Sequence, residues 1–523
     1  MKKKILFALF LFSLSTICFY TASASTETYN NITYVFFNGE YAVTKCDSSA
    51  TEVEILSEIN DIPVARINSD AFKNCTNLTK VKIPDSIKYI DSSAFYNCTA
   101  LTEINIPDGI PSIEDELFYN CSSLTAITLP DSITYIGGSA FSGCSNLKSI
   151  NIPKNTEIIY GSAFYNCTSL TDIVIPDSVT GIGPETFYNC TSLKNLTLGK
   201  GLTSIGFLTF YNCNNLENIY VSDITAYLNC KYHTSLAEPM GYAKKLYING
   251  QEPTELFLPD GVKQIPAYAF NGCTSLTSIH IPKSVESIDL SAFNGCNNLT
   301  DITVDSENGY YSSIDGNLLD KNRKTLIFYA KGKQDKTYKI PDGVTTVGQD
   351  SLKECNNLER IIIPNSVTDI KQRAFYQCSN LSSLILGNGL KNIAYDTTQF
   401  SYKLKDIYYN GTKEDWGNIS IETDPNGEPI LYATKHFSFD NVMIKEKSDD
   451  GNSYIIHPFN VDSNTVFILS LYNNNNNIEK ILIKPNKGTS LEFITNETYT
   501  AAQIMVWESM TNLKPVCSAE PIQ

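Results

Sequence analysis

The chain has 523 residues and carries 56 acidic against 40 basic side chains, a formal net charge of −16. Nucleic-acid binding needs a basic footprint, and this chain, with only four arginines (Arg66, Arg323, Arg360 and Arg373), offers none. The same negative charge disfavours adhesion to anionic membranes and favours cationic partners or divalent cations.

Residues 1–24 are predicted to be a signal peptide. Three lysines at positions 2–4 precede an apolar run over residues 5–20, and Ala22-Ser23-Ala24 supplies a small-residue cleavage site. A lipid anchor at Cys18 is disfavoured because Ile17 stands where a small residue is required. Cleavage after Ala24 removes three lysines and no acids, which changes the net charge from −16 to −19.

The rest of the chain holds no second apolar span of about 18 residues, so no transmembrane anchor is expected. Residues 518–523 show no wall-sorting motif with a hydrophobic tail. We therefore expect a secreted protein that is released or held at the cell surface by non-covalent contacts.

Residues 25–70 are predicted to form an N-terminal cap. Irregular strands at 34–37, 41–43 and 53–55 would seal the first coil of the repeat that follows, because the ends of a stacked repeat need covering.

A 23-residue period dominates residues 71–431. Cysteine recurs at this step in a block of seven and in two further pairs, namely Cys75, Cys98, Cys121, Cys144, Cys167, Cys190 and Cys213, then Cys273 and Cys296, then Cys355 and Cys378. A fixed period of this size indicates coils that stack to bury one continuous core.

One period shows the predicted form of each coil. After Cys167, apolar residues at 170, 173, 175, 179, 182 and 187 would point inward. The Ile173-Val-Ile175 alternation predicts a short strand, which Pro176 ends because proline cannot donate to the next ladder position. A second short extended piece and a tight helical or turn-like return, as at 94–98, complete the coil.

These elements resemble the BspA-like leucine-rich repeats of bacterial surface proteins. The matching patterns are Leu-x-x-Ile-x-Ile-Pro-x-Ser-Val-x-x-Ile-Gly and Ala-Phe-x-x-Cys, as in residues 94–107, 163–183 and 355–378. The resemblance implies a fold that is mainly β with short helical turns, a right-handed leucine-rich-repeat solenoid with a parallel sheet along one face. It also implies a secreted or surface-exposed binding protein that takes part in adhesion.

The repeat cysteines are predicted to form a structural ladder of buried thiols rather than disulfides. Adjacent rungs lie about 4.8 Å apart with parallel side chains, whereas bonded cysteines need Cβ atoms about 3.8 Å apart. A disulfide framework remains the alternative in a secreted chain. Cys46, Cys230 and Cys517 fall off the period, and their redox states stay open.

The period breaks twice, and both breaks predict insertions. The interval from Cys213 to Cys273 is two periods plus 14 residues, and an insertion is placed near 222–245. The interval from Cys296 to Cys355 is two periods plus 13, and residues near 305–335 read as a hairpin with its turn at 320–323. Insertions of repeat proteins often lie on a binding face, although an elaborated coil without a ligand is equally consistent.

The solenoid is predicted to end near residue 431. Residues 405–409 form a late strand, and Trp416 in the following Tyr-x-Gly-Thr-x-x-x-Trp segment would cover the last apolar face. That segment also resembles the closing element of the same repeat family.

Residues 432–523 are predicted to form a C-terminal β-sandwich-like domain. Strands at 466–472, 478–484 and 501–507 follow from apolar runs, the first two joined by a loop of asparagines at 473–477. Residues 505–509 with Lys514-Pro515 resemble a β module of secreted clostridial-type proteins.

The candidate ligand-binding residues are tyrosines that follow the inward phenylalanine in six coils, Tyr96, Tyr119, Tyr165, Tyr188, Tyr211 and Tyr376. Neighbours of an inward residue point outward, which predicts an aromatic edge suited to protein or glycan contact. The alternative is that each tyrosine packs on the preceding coil as a spacer.

Catalysis, metal binding and cofactors find no support in the sequence. The four histidines (His233, His280, His436 and His457) are scattered, and no Gly-x-Ser-x-Gly, His-Glu-x-x-His or Cys-x-x-Cys pattern occurs. We therefore expect a monomeric, non-enzymatic protein that mediates adhesion or recognition of host or neighbouring-cell proteins or glycans. A glycan-binding accessory protein that supports polysaccharide use, and an extracellular enzyme with an unrecognised site, are the alternatives.

Overall fold

The computed structural model describes residues 25–422, residues 428–437 and seven C-terminal strands. The predicted signal peptide and Cys517 lie outside the described residues. The chain divides into two compact units. The first runs to Ile173 and includes Gly181–Ser192, and the second holds Val174–Thr180 and continues from Leu193.

The coil from Cys121 to Cys144 illustrates the repeat. Strand Ala126–Ile127 is followed by strand Tyr135–Ile136, and a turn carrying buried Phe141 returns the chain to the next cysteine. We call the first strand of a coil its a-strand and the second its b-strand. This confirms the predicted solenoid, mainly β with short helical turns.

In the first unit, a-strands pair in parallel with a-strands and b-strands with b-strands, usually 23 residues apart. The a-strands are Glu52–Glu54, Lys80–Lys82, Glu103–Ile104, Ala126–Ile127, Ser149–Ile150 and Asp172–Val174, the last of which contains the unit boundary. The b-strands are Ile62–Ile67, Tyr89–Ile90, Ser112–Ile113, Tyr135–Ile136, Ile158–Ile159 and Gly181–Ile182.

A continuous column of phenylalanines fills the first unit. Successive rings lie 4.8–5.6 Å apart and nearly parallel, and all are fully buried. This Phe column consists of Phe72, Phe95, Phe118, Phe141, Phe164 and Phe187. Because each ring packs on the coil before and the coil after it, no coil can hold its ring without its neighbours.

The residue before each cysteine of the 23-residue ladder adopts a left-handed backbone conformation. Asn97 and Asn120 have φ of 59° and 56°, and Gly143 has φ of 77° at the same position of the next coil. Asparagine tolerates this conformation and adds a hydrogen bond between coils, since Asn120 Nδ2 donates to Asn97 Oδ1 at 2.6 Å. Asparagine at this position therefore stabilises the turn.

Replacing Asn120 with alanine should lower the free energy of unfolding by about 1–2 kcal/mol. Alanine is strained in the left-handed conformation, and it lacks the side-chain amide that hydrogen-bonds to Asn97. Replacing Asn120 with glycine should cost less, since glycine, as at Gly143, adopts this conformation freely. Chemical denaturation of both variants checks the order, and equal losses would contradict the backbone argument.

The chain starts with antiparallel strands and begins its parallel stacking before residue 71. Thr26–Tyr29, Ile32–Phe37 and Glu40–Cys46 form a meander, and Glu58–Ile59 makes a hairpin with Ile62–Ile67. Strand Glu52–Glu54 already pairs in parallel with Lys80–Lys82. This early coil lacks the repeat's cysteine spacing, which is why the period does not reveal it.

The second unit continues with longer a-strands and two further breaks of the a-sheet. Its a-strands are Asn195–Leu198, Asn218–Val221 and Lys245–Ile248, then Glu255–Phe257, Ser278–Ile281 and Asp301–Val304, then Thr337–Lys339, Arg360–Ile363, Ser383–Leu386, Asp406–Tyr409 and Thr434–Phe437. Its b-strands are Ser204–Ile205, Lys231–Tyr232, Gln264–Ile265, Ser287–Ile288, Thr346–Val347, Asp369–Ile370, Asn392–Ile393 and Ser420–Ile421. The parallel a-sheet thus extends to Phe437.

The insertion predicted near 222–245 is a helix-bearing coil. Helix Ile224–Asn229 begins at Asp223, whose carboxylate accepts from the N–H groups of Thr225 and Ala226. A b-strand and two 3-10 turns, Ser235–Ala237 and Pro239–Gly241, lead to strand Lys245–Ile248.

The end of the solenoid repeats this architecture. Helix Lys413–Gly417 is capped by Thr412, strand Ser420–Ile421 follows, and helix Pro429–Tyr432 leads to strand Thr434–Phe437. A Glu-Pro pair opens the last turn in both coils, as Glu238-Pro239 and Glu428-Pro429. The first insertion is therefore a copy of the closing element within the chain, and the a-sheet is interrupted directly after it.

The second insertion contains three antiparallel strands rather than one hairpin. Tyr311–Ile314, Asn317–Asp320 and Thr325–Phe328 pair in sequence, and a turn at Asp315-Gly316 separates the first two strands. Gly316 has φ of 70°, a left-handed conformation that favours glycine. A 3-10 helix at Leu290–Phe293 precedes this insertion.

The C-terminal strands form two antiparallel sheets. One contains Ile444–Lys447, Ser453–His457 and Leu491–Ile494. The other contains, in spatial order, Ile478–Pro485, Val466–Tyr472, Ala501–Trp507 and Glu520–Ile522.

Candidate functional site

The six predicted tyrosines lie at the surface beside the buried phenylalanines. Five of them are half-buried, and Tyr211 is 42% exposed. We call this set the tyrosine edge, and the structure places four of its members in the first unit and Tyr211 and Tyr376 in the second.

The tyrosine edge of the first unit consists of two stacked pairs. Tyr96 and Tyr119 have ring centroids 4.6 Å apart at 6°, and Tyr165 and Tyr188 are 4.8 Å apart at 9°. Buried Ser142 occupies the intervening coil and separates the pairs. Each stacked ring hides one face, which reduces the area left for a ligand.

Tyr376 of the second unit packs edge-on against Phe400, with 5.2 Å between centroids. The ammonium of Lys353 lies 5.7 Å from its ring centroid, as Lys73 lies 5.1 Å from that of Tyr96. The rings of Tyr96 and Tyr376 thus have packing partners within the solenoid. This agrees with the spacer alternative as well as with a binding edge.

A second group of aromatic residues, not predicted from the sequence, projects from the a-sheet of the second unit. Tyr220 and Tyr247 stack with 4.9 Å between centroids, and Phe257 and His280 lie 5.8 Å apart. Tyr220 is in register with Tyr247 and Phe257 is in register with His280, each at an outward position of its a-strand, and Phe257 is 72% exposed. We call these four residues the outward aromatic column.

The signal for this column was present in the sequence. An a-strand alternates inward and outward side chains, so the residue between two inward positions must face out. Tyr220 lies between buried Ile219 and Val221, and His280 lies between buried Ile279 and Ile281. The residue type at this position varies between tyrosine, phenylalanine and histidine, so the column does not appear as a recurring residue in the sequence.

The thirteen described cysteines are buried thiols that form no disulfide with one another. Most thiols of the ladder donate to a carbonyl of the preceding coil, as Cys144 Sγ donates to the carbonyl of Phe118 at 3.2 Å, whereas Cys355 donates to the carbonyl of Lys353 at 3.9 Å. Burial raises the pKa of Cys144 to about 12, against an opposing contribution from the N–H of Cys121. Thiols of this kind are poor nucleophiles.

Two residues extend the ladder beyond the predicted cysteines. Cys46 lies beside Cys75, and its thiol donates to the carbonyl of Asp47 at 3.4 Å. At the other end Ser401, 23 residues after Cys378, accepts from the N–H of Cys378 at 2.9 Å and donates to the carbonyl of Phe375 at 2.7 Å. The hydroxyl makes the contacts that a thiol makes elsewhere, which identifies the ladder position as a hydrogen-bonding link.

The first helix-bearing coil contains a buried acid. Glu238 Oε1 accepts from the Tyr227 hydroxyl at 2.8 Å, and Oε2 has no hydrogen-bond partner in the described part of the chain. Burial raises the pKa of Glu238 well above its usual range, and the Tyr227 bond opposes this shift. Glu238, Lys231, Tyr232 and Gln264 line a small cavity of about 170 Å³.

Within the described ranges, no cluster of three or more histidine, cysteine, aspartate or glutamate side chains is placed to hold a metal ion. None of the described helices is long and apolar enough to span a bilayer.

Comparison with known proteins identifies the repeat. The sequence profile described as BspA type leucine rich repeat region, with six copies, matches residues 65–180, 157–232, 244–331 and 328–422. A search of curated proteins finds no significant match.

The solved structures that are similar to this chain include two leucine-rich repeat proteins from bacteria. A leucine-rich repeat protein from Bacteroides ovatus aligns with 25% identity and a TM-score of 0.50, over 76% of this chain and 99% of the other. A leucine rich cell surface protein from Faecalibacterium prausnitzii aligns with 23% identity and a TM-score of 0.31, over 77% and 99% of the two chains.

The profile match covers most of the coils, and the parallel stacking, the Phe column and the cysteine positions all follow its period. The chain therefore belongs to the BspA-type leucine-rich-repeat family.

Proposed function

We propose that this protein works outside the cell and recognises macromolecules through the outward aromatic column. The lysine-rich leader followed by an apolar run supports export. Solenoid families of this kind present extended surfaces for binding rather than enclosed sites for catalysis.

The exposure of Phe257 carries the proposal. A phenylalanine ring that is 72% exposed on a strand gains about 1.5–3 kcal/mol when it becomes fully buried against a partner. Tyr220 and Tyr247 add rigid area with polar tips, a combination that suits protein and glycan surfaces. The tyrosine edge offers less, since none of its rings is as exposed as that of Phe257, and its most exposed member, Tyr211, is 42% exposed.

The strands hold this column in a fixed arrangement. Strand Asn218–Val221 pairs along its whole length with Lys245–Ile248, and Glu255–Phe257 pairs with Ser278–Ile281. His280 Nδ1 lies 2.9 Å from the Thr303 hydroxyl, which orients the imidazole. A pre-ordered surface loses little conformational entropy when it binds.

The test measures binding of the chain from residue 25 to extracellular-matrix proteins, mucin and a glycan panel. One variant carries Tyr247→Ser and Phe257→Ser, and a second carries serine at Tyr96, Tyr119, Tyr165, Tyr188 and Tyr211. The control is Phe37→Ser, since Phe37 is 67% exposed on an N-terminal strand outside the column.

We expect the column variant to bind at least tenfold more weakly, while the edge variant and the control keep their affinity. Loss confined to the edge variant would move the site to the tyrosine edge. A ligand found only on the glycan panel would favour the accessory role in polysaccharide use, and a protein ligand would favour adhesion. Equal binding by all variants would overturn the proposal.

A further inference from the structure

The last coils of the second unit carry a small apolar patch on the outward face of the a-sheet. Ile361 and Ile363 point into the core, so Ile362 between them points outward, and Ile385 follows it in register on the next strand. Ile362, Ile385 and Tyr408 form a cluster of their own, apart from the core cluster. We call these three residues the outer apolar patch.

This patch is buried although it faces outward. Ile362 is 2% exposed and Ile385 is 4% exposed, whereas Phe257 at the same position of another coil is 72% exposed. Neighbours within a sheet flank a side chain and leave its outward end open. Such low exposure therefore requires a layer of the chain above the sheet.

We propose that the C-terminal β module, residues 438–523, packs on the outer apolar patch. The a-strand that precedes the module, Thr434–Phe437, lies two strands from Ser383–Leu386, a distance of about 10 Å. Residues 438–443 join it to the first strand of the module, and six residues can span about 20 Å. The module therefore reaches the patch without disturbing the solenoid.

The sequence of the module predicts an apolar face. Strand Val466–Tyr472 is interior in its four-stranded sheet, between Ile478–Pro485 and Ala501–Trp507. Its sequence, Val-Phe-Ile-Leu-Ser-Leu-Tyr, is apolar along almost its whole length, which is typical of strands covered on both faces. The three-stranded sheet of the module can cover one face, and the outer apolar patch supplies a cover for the other.

The stacking of His436 on Tyr408 holds both rings in place at the edge of the patch. Their rings lie 4.6 Å apart, and His436 Nε2 is 2.9 Å from Asp406 Oδ1, which fixes the imidazole at the edge next to the module. Docking here would close the outward face of the last coils and leave the outward aromatic column as the open part of that face.

The first experiment uses the full chain with Ile362→Arg and Ile385→Arg, substitutions that leave the core residues untouched. Hydrogen exchange of residues 466–472 and protease cleavage within 438–443 are measured, with Thr303→Arg as control because Thr303 is exposed at the same outward position. We expect at least tenfold faster exchange and cleavage in the double variant and no change in the control. Unchanged rates in a folded double variant would overturn the proposal.

A second experiment avoids any loss of folding. A photoreactive phenylalanine analogue replaces Ile385 in the full chain, and mass spectrometry locates the cross-link after irradiation. Cross-links to residues 438–523 of the same molecule would support the docking. Cross-links only to a second copy, or only to solvent, would overturn it.

Discussion

Replacing Phe141 with alanine is expected to lower the opening free energy of its coil by about 3–5 kcal/mol, the cost of deleting a fully buried aromatic ring. Phe141 is fully buried, with Phe118 and Phe164 each 5.4 Å from its ring centroid. The effect should be local, because each coil of a repeat protein contacts only its neighbours. Native-state hydrogen exchange over residues 118–164 measures it.

Phe257→Ala is the matched control for this prediction. The same side chain is removed, but from a largely exposed position, so the expected loss is within about 0.5 kcal/mol. A loss below about 1 kcal/mol for Phe141→Ala would show that the column does not hold the coils together.

The regular coils could be predicted from the sequence because each inward position repeats its chemistry. Cysteine, phenylalanine and the Ile-x-Ile alternation recur every 23 residues, and the strands pair with this same step, as Tyr135 pairs with Ile158. Side chains at equivalent core positions of a stacked repeat must have similar size and shape in every coil. The 23-residue period is therefore visible in the sequence.

Positions where another residue makes the same contact escape such a search. Ser401 hydrogen-bonds as a ladder thiol does, and Glu52–Glu54 stacks as an a-strand without the repeat's cysteine spacing. The two helix-bearing coils share their capped helix and Glu-Pro turn but little sequence. Their likeness emerges only when backbone conformation and register are known.

The candidate site was harder to predict than the fold. The tyrosine edge repeats one residue type and is visible in the sequence, whereas the outward aromatic column mixes tyrosine, phenylalanine and histidine. Packing in the core does not constrain the outward positions of a solenoid, so the residue type at these positions can vary from coil to coil. Whether either surface binds is decided by the variants proposed above.

The second large effect is expected at Glu238, where the difference in stability between Glu238→Gln and the natural protein should grow as the pH rises. Burial raises the pKa of the Glu238 carboxyl in the folded protein, so the folded state keeps a proton that the unfolded chain releases near its ordinary pKa. The stability that this proton contributes is complete below the unfolded pKa and is lost as the pH rises through the folded pKa.

Glutamine has the same shape and no charge, so Glu238→Gln should avoid this loss. The free energy of unfolding of the variant, relative to that of the natural protein, should increase by about 1.4 kcal/mol for each pH unit between the unfolded and folded pKa values of Glu238. Urea denaturation at pH values from 4 to 9 measures the difference, with Glu255→Gln, the same change at an exposed glutamate, as the matched control.

Tyr227 provides an independent check on the same buried acid. Tyr227→Phe removes the hydroxyl that donates to Glu238 Oε1 and leaves both carboxyl oxygens without a described partner, at a cost of about 1–3 kcal/mol. Because Glu238 ionises as the pH rises, that cost should be larger at pH 8 than at pH 4. A Glu238→Gln difference that is flat with pH, together with a Tyr227→Phe loss that is equally flat, would show that the carboxyl keeps its ordinary pKa and that the first helix-bearing coil tolerates a buried charge.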